Sequence, residues 1–162
     1  NEVTAALKKI DPSILVIGEG WNMGTLASSL KANQINIAKL PRVSHFNDQI
    51  RDGIKGSVFD PMDTGFATGK FASRGDVMAG IVGNTNYSDE ITTKWTTIAP
   101  GQSVNYVESH DNMTLADKIS ASVKDVKAAD IAQLSQLAGS IPLLSQGLPF
   151  IQAGQECNQF VS

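Results

Sequence analysis

The stretch Ile14-Leu15-Val16-Ile17-Gly18-Glu19-Gly20-Trp21-Asn22 sets four apolar residues in a row, stops them at a glycine, and follows with polar and aromatic ones. An unbroken, partly β-branched run with no polar alternation predicts a strand covered on both faces, as in a parallel sheet. Upstream, Val3, Leu7 and Ile10 recur at helical spacing, and Asp11-Pro12 ends that pattern. Helix, tight loop, buried strand, polar loop is the rhythm of an α/β barrel or a doubly wound sheet.

The rhythm returns further along. Val43 to Phe46 reads as a strand, with Gln49 to Lys55 helical after it. Val104 to Val107 reads as a third strand and runs into Glu108-Ser109-His110-Asp111-Asn112. Leu115, Ile119, Val123 and Val126 form a helical stripe, and Ile131, Leu134, Leu137, Ala138 and Ile141 form a second, with Pro142 near its end. After Gly147, Leu148 to Ala153 gives a fourth strand closing on Gly154-Gln155-Glu156. Between Ser57 and Pro100 the Gly, Thr, Asn and Asp content is high and periodicity is weak. This predicts a long excursion with one short helix over 76–82. No internal repeat or low-complexity tract is present.

Composition narrows the class. The 162 residues are 41% hydrophobic, enough for one domain with a real core, and the mean hydropathy lies near zero. No run approaches the roughly 18 apolar residues that span a bilayer, so no membrane partner is expected. A net charge of -3, with Lys8-Lys9, Arg51, Lys55 and Lys124 scattered, argues against nucleic acid, whose phosphates demand a basic stripe. A neutral polymer such as a polysaccharide suits this balance. Cys157 stands alone, which excludes an internal disulfide and a cysteine metal cluster, and it reads as a small apolar residue. The chain starts at Asn1 with no basic-then-apolar leader, which suggests a fragment or a processed chain and leaves localisation open.

Polar clusters fall just past three predicted strands: Glu19 with Trp21, Asn47-Asp48, and His110-Asp111-Asn112. In parallel α/β architectures catalytic groups converge at that edge. Carboxylates and an imidazole meeting there suit acid/base work, and glycoside hydrolysis requires paired carboxylates flanking a bond. Trp21 offers a stacking platform for a sugar face. Each cluster also has a plainer reading: Glu19 as a structural ion-pair residue, His110-Asp111 as a chance pair, and Asn47-Asp48 as a helix cap.

At this point the motifs resemble a known family. Tyr106-Val107-Glu108-Ser109-His110-Asp111-Asn112-Met113-Thr114-Leu115 is similar to the seventh-strand signature of the α-amylase superfamily. Gly18-Glu19-Gly20-Trp21 is similar to its fifth-strand signature as pullulanase-type debranching enzymes carry it. Residues 46–56, from Phe46-Asn47-Asp48 to Lys55-Gly56, resemble the debranching segment between those two, and residues 146–156 resemble the eighth strand.

The resemblance implies a partial (β/α)8 TIM barrel, roughly strands 5 to 8, with the chain 1–162 forming the C-terminal half of a glycoside hydrolase catalytic domain. It implies Glu19 as general acid/base, kept protonated by partial burial and a neighbouring carboxylate. Asp111 is implied as the carboxylate that grips the distorted ring in the transition state, and His110 as its sugar-binding partner. Trp21, Asn112 and Asp48 are implied as substrate-binding residues. The implied substrate is an α-glucan, with α-1,6 bonds of pullulan, starch or glycogen cleaved with retention. No cofactor and no metal are implied, and secretion or the cell surface fits the parent protein.

The sequence departs from the family in places. Ala116 stands where many members carry an aromatic residue, leaving one stacking contact in question. The Gly-x-Arg-x-Asp string of the nucleophile and the Asp-Asn-His string of the third strand are missing. Asp48 falls on the family's sixth strand and is no substitute. The isolated chain is therefore expected to be inactive, with the N-terminal half of the barrel as its partner, and its open edges predict self-association. Two other readings stand beside this one. One is a non-catalytic α-glucan-binding module. The other is a metal-dependent hydrolase using Glu19, His110 and Asp111 as ligands, against which stands the small supply of histidine, His45 and His110 alone with no His-x-His pair.

Overall fold

The computed structural model describes residues 2–157. Along the chain run α1 (Glu2–Ile10), β1 (Val16–Gly18), β2 (Val43–Phe46), α2 (Asp48–Lys55), α3 (Arg74–Ile81), β3 (Ser103–Asn105), α4 (Leu115–Ser122), α5 (Ala128–Leu144) and β4 (Leu148–Pro149). Short 3-10 turns fill the connections, among them Gln34–Lys39 between β1 and β2 and Phe66–Thr68 in the excursion. The four strands form one parallel sheet in the order β1-β2-β3-β4. Val16 pairs with Val43, His45 with Ser103, and Val104 with Leu148. Each strand lies beside its successor with no reversal of direction across the sheet, an α/β arrangement compatible with part of a barrel.

The elements follow the sequence closely, with corrections at their ends. β3 spans three residues and β4 two, shorter than the runs 104–107 and 148–153 suggest. Past β4, the Phe150 N–H still donates to Asn105 O at 2.9 Å, so pairing fades rather than stops. α4 ends at Ser122 because Val123 turns to an extended backbone, although Val123 and Val126 still pack against the core. Pro142 sits within the last turn of α5. The expectation that β1 is covered on both faces is wrong for this chain. Leu15 and Ile17 are 62% and 47% exposed, since β1 is a sheet edge with no described strand beyond it. α1 forms where the spacing predicts, yet buries none of its residues. Cys157 is exposed rather than packed as a small apolar side chain.

The core lies among the helices that follow β2 and β3. Ile50 and Ile54 of α2, Val77 of α3, Leu115 and Ile119 of α4, and Ile131 and Ala138 of α5 are all buried together with Val107. α2 and α3 approach closely because Gly80 presents no side chain to Ile50; a Cβ there would stand 2.3 Å from the Ile50 Cβ. Burying a single isoleucine in such a cluster stabilises by about 1.5–3 kcal/mol.

A second, polar core ties the excursion to the sheet. Asn47 caps α2 by accepting from Gln49 N and Ile50 N at 3.1 and 3.2 Å, the cap its position predicts. Its Nδ2 donates to Asn84 Oδ1 and Ser103 Oγ, both at 2.9 Å, and lies 3.2 Å from Asn105 Oδ1. Asn84 Nδ2 donates to Gln49 Oε1 and Trp95 O, while Asn105 Nδ2 donates to Gly80 O and Gln146 O. Each of these side chains is buried, and their mutual bonding offsets the cost of removing amides from water. Among the described residues no helix is long and apolar enough to cross a membrane.

Candidate active site

The loop after β1 carries Glu19 between two glycines. Gly20 adopts a left-handed backbone at φ +77 and lies against the ring of the buried His45; a Cβ there would stand 2.5 Å from His45 Cγ. His45 Nδ1 lies 3.2 Å from Gly18 O, and burial holds the imidazole pKa below its ordinary value even though that carbonyl pulls it up. The ring is therefore neutral near pH 7, with Nδ1–H as donor to Gly18. His45 thus acts as a floor for the loop, which projects Glu19 outward. Glu19 is exposed, with 47% of its side chain accessible, so the partial burial expected for a proton donor is not present in this chain.

The loop after β3 brings His110, Asp111 and Asn112 to the same edge. Asn112 holds φ +70, a conformation asparagine tolerates better than most residues, and this turns the loop back toward β1. His110 Nε2 stands 3.9 Å from Glu19 Oε1 and 3.6 Å from Asp111 Oδ1. An imidazole thereby sits between two carboxylates that come from strands separated by β2. One ligand atom from each of the three groups lies within 4.8 Å of the others, close enough to hold a metal ion as well as to grip a neutral ligand.

These residues share one cavity of about 420 Å³, into which Glu19, Trp21, Asp48, His110, Asp111 and Asn112 all face. All six positions singled out in the sequence are thus brought together. Residues that sequence reasoning passed over complete the walls. Phe46 and Tyr106 line the cavity and meet edge to face at 4.9 Å between ring centroids, while Phe150, which does not line it, packs edge to face on Phe46 at 5.0 Å. Arg51 donates from Nη1 to Tyr106 Oη at 2.8 Å and from Nε to Asp52 at 2.6 Å. Burial pushes the Tyr106 phenol up to about 12 despite the nearby Arg51 cation, so its hydroxyl stays protonated. Burial works against the Arg51 charge, but Asp52 and Tyr106 outweigh it and its pKa rises.

Phe59 stands on the far rim, 90% exposed. Its loop is anchored from beneath by the buried Lys118, whose Nζ donates to Ser57 O at 2.9 Å and to Asp60 O. Lys55, also buried, reaches Met113 O at 3.5 Å, and burial brings its pKa down to about 8. Glu108 serves the scaffold: buried, it accepts from Leu115 N at 2.6 Å at the start of α4, and burial raises its pKa against that bond and Lys55. The signal that could have found Phe59 is a lone aromatic in the turn-rich string Ser57-Val58-Phe59-Asp60-Pro61, a place where nothing apolar is needed for packing.

Flat aromatic walls with acid, amide and imidazole groups at one end suit a ligand with apolar faces and many hydroxyls. No family model matches the chain. Pullulanase of Bacillus subtilis (strain 168) is 41% identical over 154 residues, covering 91% of this chain and 20% of that protein. Chloroplastic pullulanase 1 of Arabidopsis thaliana is 30% identical, covering 88% of this chain and 19% of that protein. The crystal structure of apo pullulanase from Paenibacillus barengoltzii superposes with a TM-score of 0.91 at 43% identity, covering 99% of this chain and 24% of that one. Pullulanase from Anoxybacillus sp. LM18-11, solved with maltotetraose, gives 0.88 at 38% identity, covering 98% and 22%. The chain thus spans about a fifth of the length of the curated relatives it matches. In sequence and in fold alike, this chain matches one segment of the pullulanases.

Proposed function

We propose that this chain forms strands 5 to 8, the C-terminal half, of the catalytic (β/α)8 domain of a retaining glycoside hydrolase that cleaves α-1,6-glucosidic bonds in pullulan, starch or glycogen. The observation that carries this is the placing of His110 between Glu19 and Asp111 at the mouth of an aromatic-walled cavity. Glu19 delivers its proton to the glycosidic oxygen as the bond to the anomeric carbon breaks. It then takes a proton from the water that releases the sugar. Asp111 and His110 bond hydroxyls of the ring being cleaved and tighten their hold as it distorts. Trp21 and Phe59 offer apolar faces to flanking sugars, and Asp48 and Asn112 bond their hydroxyls. The nucleophile belongs to the other half of the barrel, so the chain by itself is inactive. Maltooligosaccharide complexes of the similar pullulanases support an α-glucan as ligand.

The test is reducing-sugar release from pullulan by the full-length protein that carries this segment. Glu19→Gln is expected to lower kcat by about a thousandfold, the usual worth of a positioned proton donor. Undiminished hydrolysis by that variant would remove Glu19 from its role. Calorimetric binding of maltotriose with no turnover in the full-length protein would favour the non-catalytic glucan-binding module instead. Stoichiometric metal in the purified protein would point to the trio as ligands.

A further inference from the structure

The connection from β1 to β2 holds a residue with no place in the chemistry above and three hydrogen bonds at the site. Gln34 opens the 3-10 turn Gln34–Lys39, and that turn is fixed at both ends. At its start the buried Asn33 accepts from Asn36 N at 3.0 Å, and at its end Gln102 Nε2 donates to Ile37 O and Leu40 O at 3.1 and 3.0 Å. From this rigid backbone Gln34 N donates to Gly20 O at 3.0 Å, in the loop that carries Glu19. Its side-chain Nε2 donates to Phe46 O at 2.9 Å and to Asp48 Oδ1 at 3.0 Å.

Resting on the functional reading above, the geometry points to Gln34 as a positioning residue that fixes the Asp48 carboxylate against the cavity and sets its distance from the Glu19 loop. The amide suits the task chemically. A neutral NH2 group satisfies a carbonyl and a carboxylate at once, while a glutamate there would repel both. Asn47 already occupies the first free N–H groups of α2, so Asp48, its first residue, is not drawn onto the helix end. With Oδ1 held by Gln34, no other described residue donates to Asp48 Oδ2, which is left for a sugar hydroxyl.

Any substitution of Gln34 except proline keeps the backbone N–H that donates to Gly20 O, so the side chain can be tested alone. Gln34→Met keeps length and packing but loses both side-chain donors. In the full-length protein acting on pullulan, it is expected to raise KM about tenfold, the scale of one charge-assisted hydrogen bond, with kcat changed by less than about threefold. Placed on Asp48→Ala, the same substitution is expected to add less than about twofold, since its target is gone. The same factor in both backgrounds, or no effect in the parent while Glu19→Gln still abolishes hydrolysis, overturns the positioning role and leaves the functional reading intact. Hydrolysis indifferent to Glu19→Gln overturns that reading and this inference with it.

Discussion

Gly20 occupies a left-handed backbone directly over the His45 ring, and Glu19 can project from its loop only because position 20 has no side chain. Gly24 provides a control: it has a similar φ of +80 but nothing within 4 Å of where a Cβ would stand. Gly24→Ala should therefore cost only the backbone term, about 1–2 kcal/mol. Gly20→Ala should cost about 3 kcal/mol or more, because the methyl must also displace His45. Calorimetric melting of both variants checks this, the larger loss falling at position 20, where the added methyl would stand 2.5 Å from His45 Cγ and 2.8 Å from His45 Cβ. At this scale the sequence was informative where chemistry follows a strand end, since Glu19, Asp48, His110 and Asp111 all stand there. It was silent on Arg51, Tyr106 and Phe59, whose roles depend on contacts between segments far apart in the chain.

Among the elements, α2 has the most distinctive support. Its cap, Asn47, also organises the buried amides that bind the excursion to β3, so one side chain serves a helix end and a tertiary junction. Asn47→Ala should destabilise by about 3 kcal/mol, combining a lost cap with buried acceptors left unpaired, as read by urea unfolding. Asn47→Ser, which retains a cap oxygen, should recover about 1 kcal/mol of that. The cap itself could be read from Asn47-Asp48 before a helical stripe, but the amide network could not. Asn84, Ser103 and Asn105 carry no periodicity, and a polar residue bound for burial looks like any loop residue until its partner is in place. Strand ends were misjudged for a related reason. The apolar run 148–153 continues past β4, yet Ile151 beyond it is 46% exposed, so the run marks neither the end of pairing nor burial.

At the scale of the whole fold, the expected α/β class and, among the described residues, the count of four strands hold, and burial diverges from expectation at the β1 edge. Ile10, Leu15 and Ile17 expose their side chains around α1 and β1, where no described element covers them. Hydrophobicity in a sequence reports that a residue is meant to be covered, not what covers it. An uncovered apolar strand edge invites pairing with another copy. The 162-residue chain by itself should therefore show mass rising above the monomer with concentration in light scattering, and a monomer that persists at high concentration would refute this. The buried amide junction has a further consequence for how such a protein meets acid. Asn47, Gln49, Asn84, Ser103 and Asn105 have no proton to gain or lose across the range where carboxylates and imidazoles titrate. Apart from Asp76 at its border, held by Gln49, this junction is indifferent to pH. As the solution turns acid, the joint that anchors the excursion to the sheet keeps its amide and hydroxyl bonds, because none of the side chains that make them changes charge.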